Sequence, residues 1–293
     1  MPVEFTIQTL SPASPPPVTP NLILVGRRAR LSAPTLTALL PAEIAPLFPR
    51  VVEALAPGDG GDTTTLWAPG EGTGTRRVVA AALPESCSRH NSPARPHAVA
   101  SLVSRSARRR GDLTIVAALE HPDHAVATAC AVARAFPAFS RKTGTESGAQ
   151  KRVALYLSSE APIADAVLDR AARAAHAVRL AARLTDAPTE ELTTDAFVSA
   201  ARDEAAAVGA SIQVLRGAAL AEAGLGGLFG VGRAAEHPPA LVILSHEPPG
   251  TEGQAALCWV GKGIVYDTGG LSLKGKTDMP GMKTDMGGAA AVL

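Results

Sequence analysis

The chain of 293 residues is long enough for two domains, and 46% hydrophobic with 19% charged residues is a globular composition with room for a sizeable core. A formal net charge of +1 gives no electrostatic reason to expect nucleic acid or an acidic membrane surface as the main partner, and no apolar run is long enough to span a bilayer. Aromatics make up only 3%, so alanine-rich helices should pack closely through small side chains.

The clusters Arg27-Arg28-Ala29-Arg30 and Arg105-Ser106-Ala107-Arg108-Arg109-Arg110 read as solvated surface, since neither is interleaved with aromatics that could stack on bases. Cys87, Cys130 and Cys258 are far apart and form no C-x-x-C pair, so neither a zinc site nor a disulfide framework is suggested. The N-terminus carries Glu4, lacks a basic flank and runs into Ser11-Pro12-Ala13-Ser14-Pro15-Pro16-Pro17, which cannot form the apolar helix of a signal peptide. A cytoplasmic protein is expected.

In chain order, Leu22-Ile23-Leu24-Val25 is a buried strand by type and length. Residues 35–47 look partly helical, with Pro41 and Pro46 as interruptions, and the glycine, threonine and proline of 57–74 predict a loop. Strands follow at 77–82, 114–119 and 153–157, with a helix over 123–135 between the last two. Strands alternating with helices predict a layered α/β domain. Ala161-Pro162 reads as a linker into a helix on which Ile163, Val167, Ala171, Ala175, Val178 and Ala182 recur at helical spacing, and Pro188 ends it. Thr194-Asp195 caps a helix running to Val208 and Gly209 closes it; strands are predicted at 211–215, 240–244 and 256–260 around a glycine-rich stretch at 224–232. The domain boundary falls near residue 160, giving an N-terminal α/β domain over 1–160 and a second α/β domain over 161–293.

The last stretch gathers Lys262, Asp267, Lys274 and Asp285 among glycines. The strand at 256–260 should deliver Lys262 at its carboxyl end, the edge where α/β sheets bind ligands. Asp285 precedes Gly287-Gly288-Ala289-Ala290-Ala291 and should lie near a helix N-terminus. Two carboxylates are hard oxygen ligands for zinc, manganese or magnesium, and an amine can join them once its proton is displaced, which burial favours. Lys274, if still charged, would stabilise a developing oxyanion. The competing readings are ordinary charges on a surface loop, a phosphate loop, for which no G-x-x-x-x-G-K-[ST] exists, and a core role for Met282. The seven histidines show no metal-ligand spacing.

Val260-Gly261-Lys262-Gly263-Ile264, Asp267-Thr268-Gly269-Gly270, Lys274 and Met282-Lys283-Thr284-Asp285-Met286-Gly287-Gly288-Ala289-Ala290 together resemble the core motifs of the leucyl (cytosol) aminopeptidase family of dimetal exopeptidases. Ser88-Arg89-His90-Asn91-Ser92-Pro93 is similar to the animal branch called probable aminopeptidase-like proteins. The resemblance spans 166–293 well and the part from about residue 77 more loosely. It implies that Lys262 and Asp285 are ligands of one metal, that Asp267 bridges two metals, that Lys274 polarises the scissile carbonyl, and that Met282 lines the pocket for the first side chain. It further implies two divalent ions, zinc or manganese with magnesium as third candidate, a peptide substrate hydrolysed at its N-terminal residue by a metal-activated water, and a homo-hexamer. The family's second ligand motif, Asn-Thr-Asp-Ala-Glu-Gly-Arg, is not found up to Leu293. The expectation is therefore a C-terminally truncated catalytic domain, a fragment, truncated gene model or short isoform that is inactive alone and poorly folded in its C-terminal half. The alternatives are a non-catalytic member acting through oligomer or partner binding, and nucleotide binding by the N-terminal domain.

Overall fold

The structure, a computed structural model, describes residues 3–11, 15–17, 19–70, 74–108, 111–140 and 151–293. Part of the proline-rich start, and Arg109 and Arg110 of the second arginine cluster, lie outside them. Residue contacts divide the chain into two compact units, Met1–Arg179 and Leu180–Leu293.

The first unit contains β1 (Val3–Thr9), β2 (Asn21–Gly26), the short helices α1 (Arg28–Leu31), α2 (Pro34–Thr37) and α3 (Phe48–Glu53), β3 (Asp62–Pro69), β4 (Thr75–Ala82), α4 (Pro96–Ser106), β5 (Leu113–Ala118), α5 (Ala125–Arg134) and β6 (Lys151–Ser158). It also takes the first part of α6 (Asp165–Asp186). The six strands form one sheet in the order β1-β6-β5-β2-β4-β3, parallel except where the edge strand β3 runs against β4. All six residues of β2 and of β5 are buried, as strands covered on both faces must be, which is why they read as unbroken apolar runs. Successive side chains point to opposite faces. Ile23, Val25, Val79, Ala81, Ile115 and Ala117 enter a core under α4, α5 and the first half of α6, while Leu22, Leu24, Val78, Ala80, Val116 and Ala118 enter a second core with Leu31, Leu36, Phe48 and Val52.

Three elements differ from expectation. The sequence pattern predicts no strand at β1, although its alternating exposure suits an edge strand beside β6. β3 lies within the stretch read as a loop: its threonines are β-branched strand formers hidden among glycines and prolines. The sequence pattern predicts no helix at α4 either; Pro96 opens it, after Arg95 in the left-handed region at φ 50°.

The division between units falls inside α6, later than the boundary near 160. Ala171 and Ala175, with Ile163, Val167, Leu168 and Val178, pack into the first core, whereas Leu180 and Leu184 pack into a core of the second unit. The helix runs unbroken across the division, with Ala171 and Ala175 buried in its earlier part and Leu180 and Leu184 buried in its last turns.

The second unit continues with α7 (Thr194–Val208), β7 (Ser211–Arg216), α8 (Ala218–Glu222), α9 (Gly226–Gly232), β8 (Ala240–Ser245) and, after a 3-10 turn over Met279–Met286, α10 (Gly287–Val292). The cap of α7 is Thr193, one residue before the expected pair: its side-chain oxygen accepts from the Ala196 amide at 3.2 Å, and Gly209 at φ 70° closes the helix as expected. β7 and β8 pair antiparallel. The strand expected at 256–260 does not form. A strand exists only where its amides and carbonyls find a ladder partner, and among the described residues none lies beside this segment, so Leu257, Trp259 and Val260 are 80%, 70% and 91% exposed. Among the described residues no helix is long and apolar enough to cross a membrane.

Arg27 and Arg28 are not free surface charges. They follow β2 and meet Glu85 beyond β4, and Arg27 and Arg95 both meet Glu120 beyond β5. Arg108, in the other cluster, lies 4.9 Å from the Trp67 ring, a cation–π contact that sequence order concealed. Hydrogen bonds from Arg28, joined by Arg27, hold the Glu85 carboxyl below its ordinary value. Burial pushes Glu120 up, but hydrogen bonds and charge from Arg27 and Arg95 outweigh it and leave it lowered. The folded state therefore binds fewer protons than the unfolded chain, so this stabilisation is present at neutral pH and is lost as pH falls through the carboxylate range. Thermal unfolding followed by circular dichroism should show the midpoint of the first unit dropping below about pH 4.5. Glu120→Gln should cost on the order of 1 kcal/mol near neutrality and flatten the acid limb of the curve; an unaltered limb would exclude Glu120 from the acid response.

Candidate metal centre

The site is built where residues 261–264 lie against the start of α10. The Ala289 amide donates to the Lys262 carbonyl at 2.7 Å, and the Ile264 amide donates to the Asp285 carbonyl at 3.2 Å. The approach leaves no space for side chains: a Cβ on Gly288 would stand 2.7 Å from the Lys262 carbonyl oxygen, and one on Gly261 would stand 2.5 Å from that of Gly288. Met286 and Ala290, buried with Leu180, Leu184 and Leu192, fix the helix side of the contact, and Val265 and Ala289 pack against the same cluster. Lys262 thus reaches the site on an irregular segment clamped by backbone contacts rather than on the end of a strand.

A second piece of backbone brings the other lysine in. Gly269 and Gly270 take φ of 94° and 61°, the left-handed region that glycine enters without a Cβ penalty. The chain therefore folds back, with the Lys274 amide donating to the Thr268 carbonyl at 2.9 Å. The Tyr266 hydroxyl donates to the Met279 carbonyl at 2.9 Å and joins this loop to the 3-10 turn.

Two lysine–carboxylate pairs result. Lys262 Nζ donates to Asp285 Oδ2 at 2.9 Å. Lys274 Nζ donates to Asp267 Oδ2 at 2.6 Å and to the Asp267 carbonyl at 3.0 Å, while the Gly269 amide donates to Asp267 Oδ1 at 2.8 Å. Hydrogen bonding from Lys274, then from the Gly269 amide, with the charge of Lys262 adding to both, holds the Asp267 carboxyl below the usual range. The charge of Lys262, itself bonded to Asp285, is the smallest of these influences on Asp267. Asp285 closes the 3-10 turn just before α10, near the helix start expected from sequence. Met282 is half-buried on the same turn and belongs to neither pair.

As a donor set, the cluster fits a small divalent cation with one condition. Both carboxylates already accept a cationic nitrogen at close range, so both present oxygens to a positive charge. The third donor would be the Lys262 amine, which has no lone pair until its proton leaves. The burial expected to help that step is not found, because the Lys262 side chain is 66% exposed; the cation itself would have to displace the proton. Among the described residues no three His, Cys, Asp or Glu side chains gather, so the set depends on lysine.

Sequence reasoning gave no role to Lys283, Asp186, Tyr266 or Gly288. Lys283 Nζ donates to the Asp186 carbonyl at 2.6 Å and to Asp186 Oδ1 at 2.7 Å, across 97 positions of sequence. No local pattern announces a pair so distant.

Residues 179–293 match the catalytic domain of the cytosol aminopeptidase family, and residues 20–145 match the M17 aminopeptidase N-terminal domain 2. The probable aminopeptidase NPEPL1 of Homo sapiens is 45% identical over 221 residues, covering 74% of this chain and 42% of the relative. The chain thus spans about two fifths of the length of the curated relatives it matches. Among solved structures, leucine aminopeptidase LAP1 of Caenorhabditis elegans superposes with a TM-score of 0.82 at 29% identity, covering 98% of this chain and 57% of that one. The leucyl aminopeptidase of Leishmania major in complex with actinonin gives 0.81 at 30% identity, covering 99% and 55%.

Gly288→Ala should force the 261–264 segment off α10, at a cost of about 1–3 kcal/mol for overpacking against backbone. Amide exchange at Ala289, whose hydrogen bond to Lys262 would break, should accelerate at least tenfold, or about 1.4 kcal/mol; unchanged protection would show that the close approach is dispensable.

Proposed function

Because the chain belongs to the cytosol aminopeptidase family through both of its matched domains, we propose that it carries the lysine–carboxylate centre of a metal-dependent aminopeptidase, which removes the N-terminal residue of a peptide. The observation that carries this reading is the presence of two lysine–carboxylate pairs, Lys262–Asp285 and Lys274–Asp267, within the matched residues 179–293. Family members depend on metal ions. Zinc and manganese are the proposed ions, with magnesium the third candidate. Lys262, Asp267 and Asp285 are the proposed holders of one ion, with Asp267 shared with a second. When bound, such an ion supplies Lewis acidity and brings water's proton loss toward neutral pH.

The remaining work falls to this chain's own side chains. Lys274 is 26% exposed and held by two oxygens of Asp267, so its charge is fixed in place. That fixed charge is the proposed partner for the carbonyl oxygen of the scissile bond, which gains negative charge in the transition state. Met282 is proposed to line the wall against the substrate's first side chain. A homo-oligomer, a hexamer, acting in the cytoplasm on peptides belongs to the same reading.

A second reading is a non-catalytic member that keeps the fold for oligomer or partner binding. One observation favours it: each carboxylate is already neutralised by a lysine of the same chain.

The deciding experiment is release of leucine from a chromogenic leucyl amide by protein expressed from its whole reading frame, with zinc or manganese supplied. Removal of metal by EDTA should abolish turnover, and Lys274→Ala should lower kcat by about 10²–10³-fold with an unchanged circular dichroism spectrum. Turnover that survives EDTA would refute the metal-dependent reading, and full turnover in Lys274→Ala would remove that lysine from the chemistry.

A further inference from the structure

We propose that Lys283 is a positioning residue that tethers the Asp285-bearing turn to the C-terminal end of α6, and so sets the cluster's affinity for a divalent ion. The inference rests on the reading above that Asp285 is a metal ligand.

The turn needs an anchor. Eight residues, Met279–Met286, run in 3-10 conformation, whereas such runs seldom exceed three or four residues because their hydrogen bonds are poorly aligned. Internally, the turn is supported by the Thr284 hydroxyl donating to the Gly281 carbonyl at 2.6 Å. At its end Met286 is buried, and a Cβ on Gly287 would lie 3.8 Å from the Thr185 side chain. Lys283 supplies the polar attachment to α6. Its ammonium meets the Asp186 carbonyl, one of the carbonyls that a helix C-terminus leaves without an intrahelical donor, and the Asp186 carboxylate as well. The negative end of the helix dipole favours a cation at this place.

Lys283 stands two residues before Asp285 and one after Met282, so its tether holds both. Both donations go to Asp186, which excludes Lys283 from the lysine–carboxylate cluster itself. Losing the tether would free the turn to rotate on Met286 and carry the Asp285 carboxylate away from Lys262. The Ile264 amide, bonded to the Asp285 carbonyl, would lose its partner in the same movement.

The test is cobalt(II) titration of the protein expressed from its whole reading frame, followed by visible absorbance, alongside amide exchange of the metal-free protein. Lys283→Met keeps the aliphatic stem and removes the donors; it should weaken cobalt binding about tenfold or more, as expected for an outer-shell support. Lys283→Arg should restore most of the affinity, and Asp186→Asn, which keeps the backbone carbonyl, should show a smaller loss with native circular dichroism. Asp285→Asn is the control on the reading beneath. If Asp285→Asn weakens cobalt binding and Lys283→Met does not, the tether inference is overturned and the metal reading stands. If the chain binds no cobalt, or Asp285→Asn binds as tightly as the unaltered chain, the metal reading falls. Exchange of the Ile264 amide reads the tether without metal: unaltered protection in Lys283→Met overturns the inference on its own.

Discussion

Residues 261–264 and the first turn of α10 touch backbone to backbone, and the rest of the candidate site depends on that contact. Two hydrogen bonds hold it, from the Ala289 amide to Lys262 and from the Ile264 amide to Asp285. Side-chain-free positions at Gly261 and Gly288 permit it. The contact brings together two residues separated by 23 positions and places an amine 2.9 Å from a carboxylate. Packing alone would not specify this geometry, since the local core consists mainly of alanine, leucine and one methionine. The hydrogen bonds set the register, and the buried Met286 and Ala290 keep the helix where the register can form.

The electrostatics follow from how the backbone is arranged. Gly269 and Gly270 reverse the chain and return Lys274 to Asp267, giving a second pair beside the first. The carboxyl of Asp267 answers to both lysines and to one amide, which is why it lies below its ordinary range. A cluster of two acids and two amines is self-neutralising, yet its partners differ in exposure. Lys274 is largely shielded and doubly bonded, whereas Lys262 is open to solvent on a single bond. The two lysines thus differ in how firmly each is held, Lys274 by two oxygens of Asp267 and Lys262 by one of Asp285.

Much of the fold was legible in the residues. The parallel strands β2, β4, β5 and β6 announced themselves because burial on both faces demands continuous apolar runs. α6 and α7 were legible from spacing and the closing glycine. β1 and β3 were not: an edge strand needs only one apolar face, and threonines among prolines look like a loop until a neighbour supplies hydrogen bonds. The apolar run at 256–260 failed in the opposite sense. Its composition suits a strand, but composition supplies no ladder partner, and the segment stays exposed. The tether from Lys283 to Asp186 was illegible for a related reason, since both residues look like ordinary helix-end and turn charges until the chain is folded.

The sequence by itself determined the α/β character of the chain, the identity of the chemical groups near its end, and the family whose motifs those groups resemble. These are properties of local composition and spacing, which need no partner to be expressed. Only the tertiary structure decided which amine meets which acid, that Lys262 arrives on a clamped irregular segment, and that α6 belongs to two units. Each of those outcomes depends on atoms far apart along the chain, and on close approaches that a linear pattern does not encode.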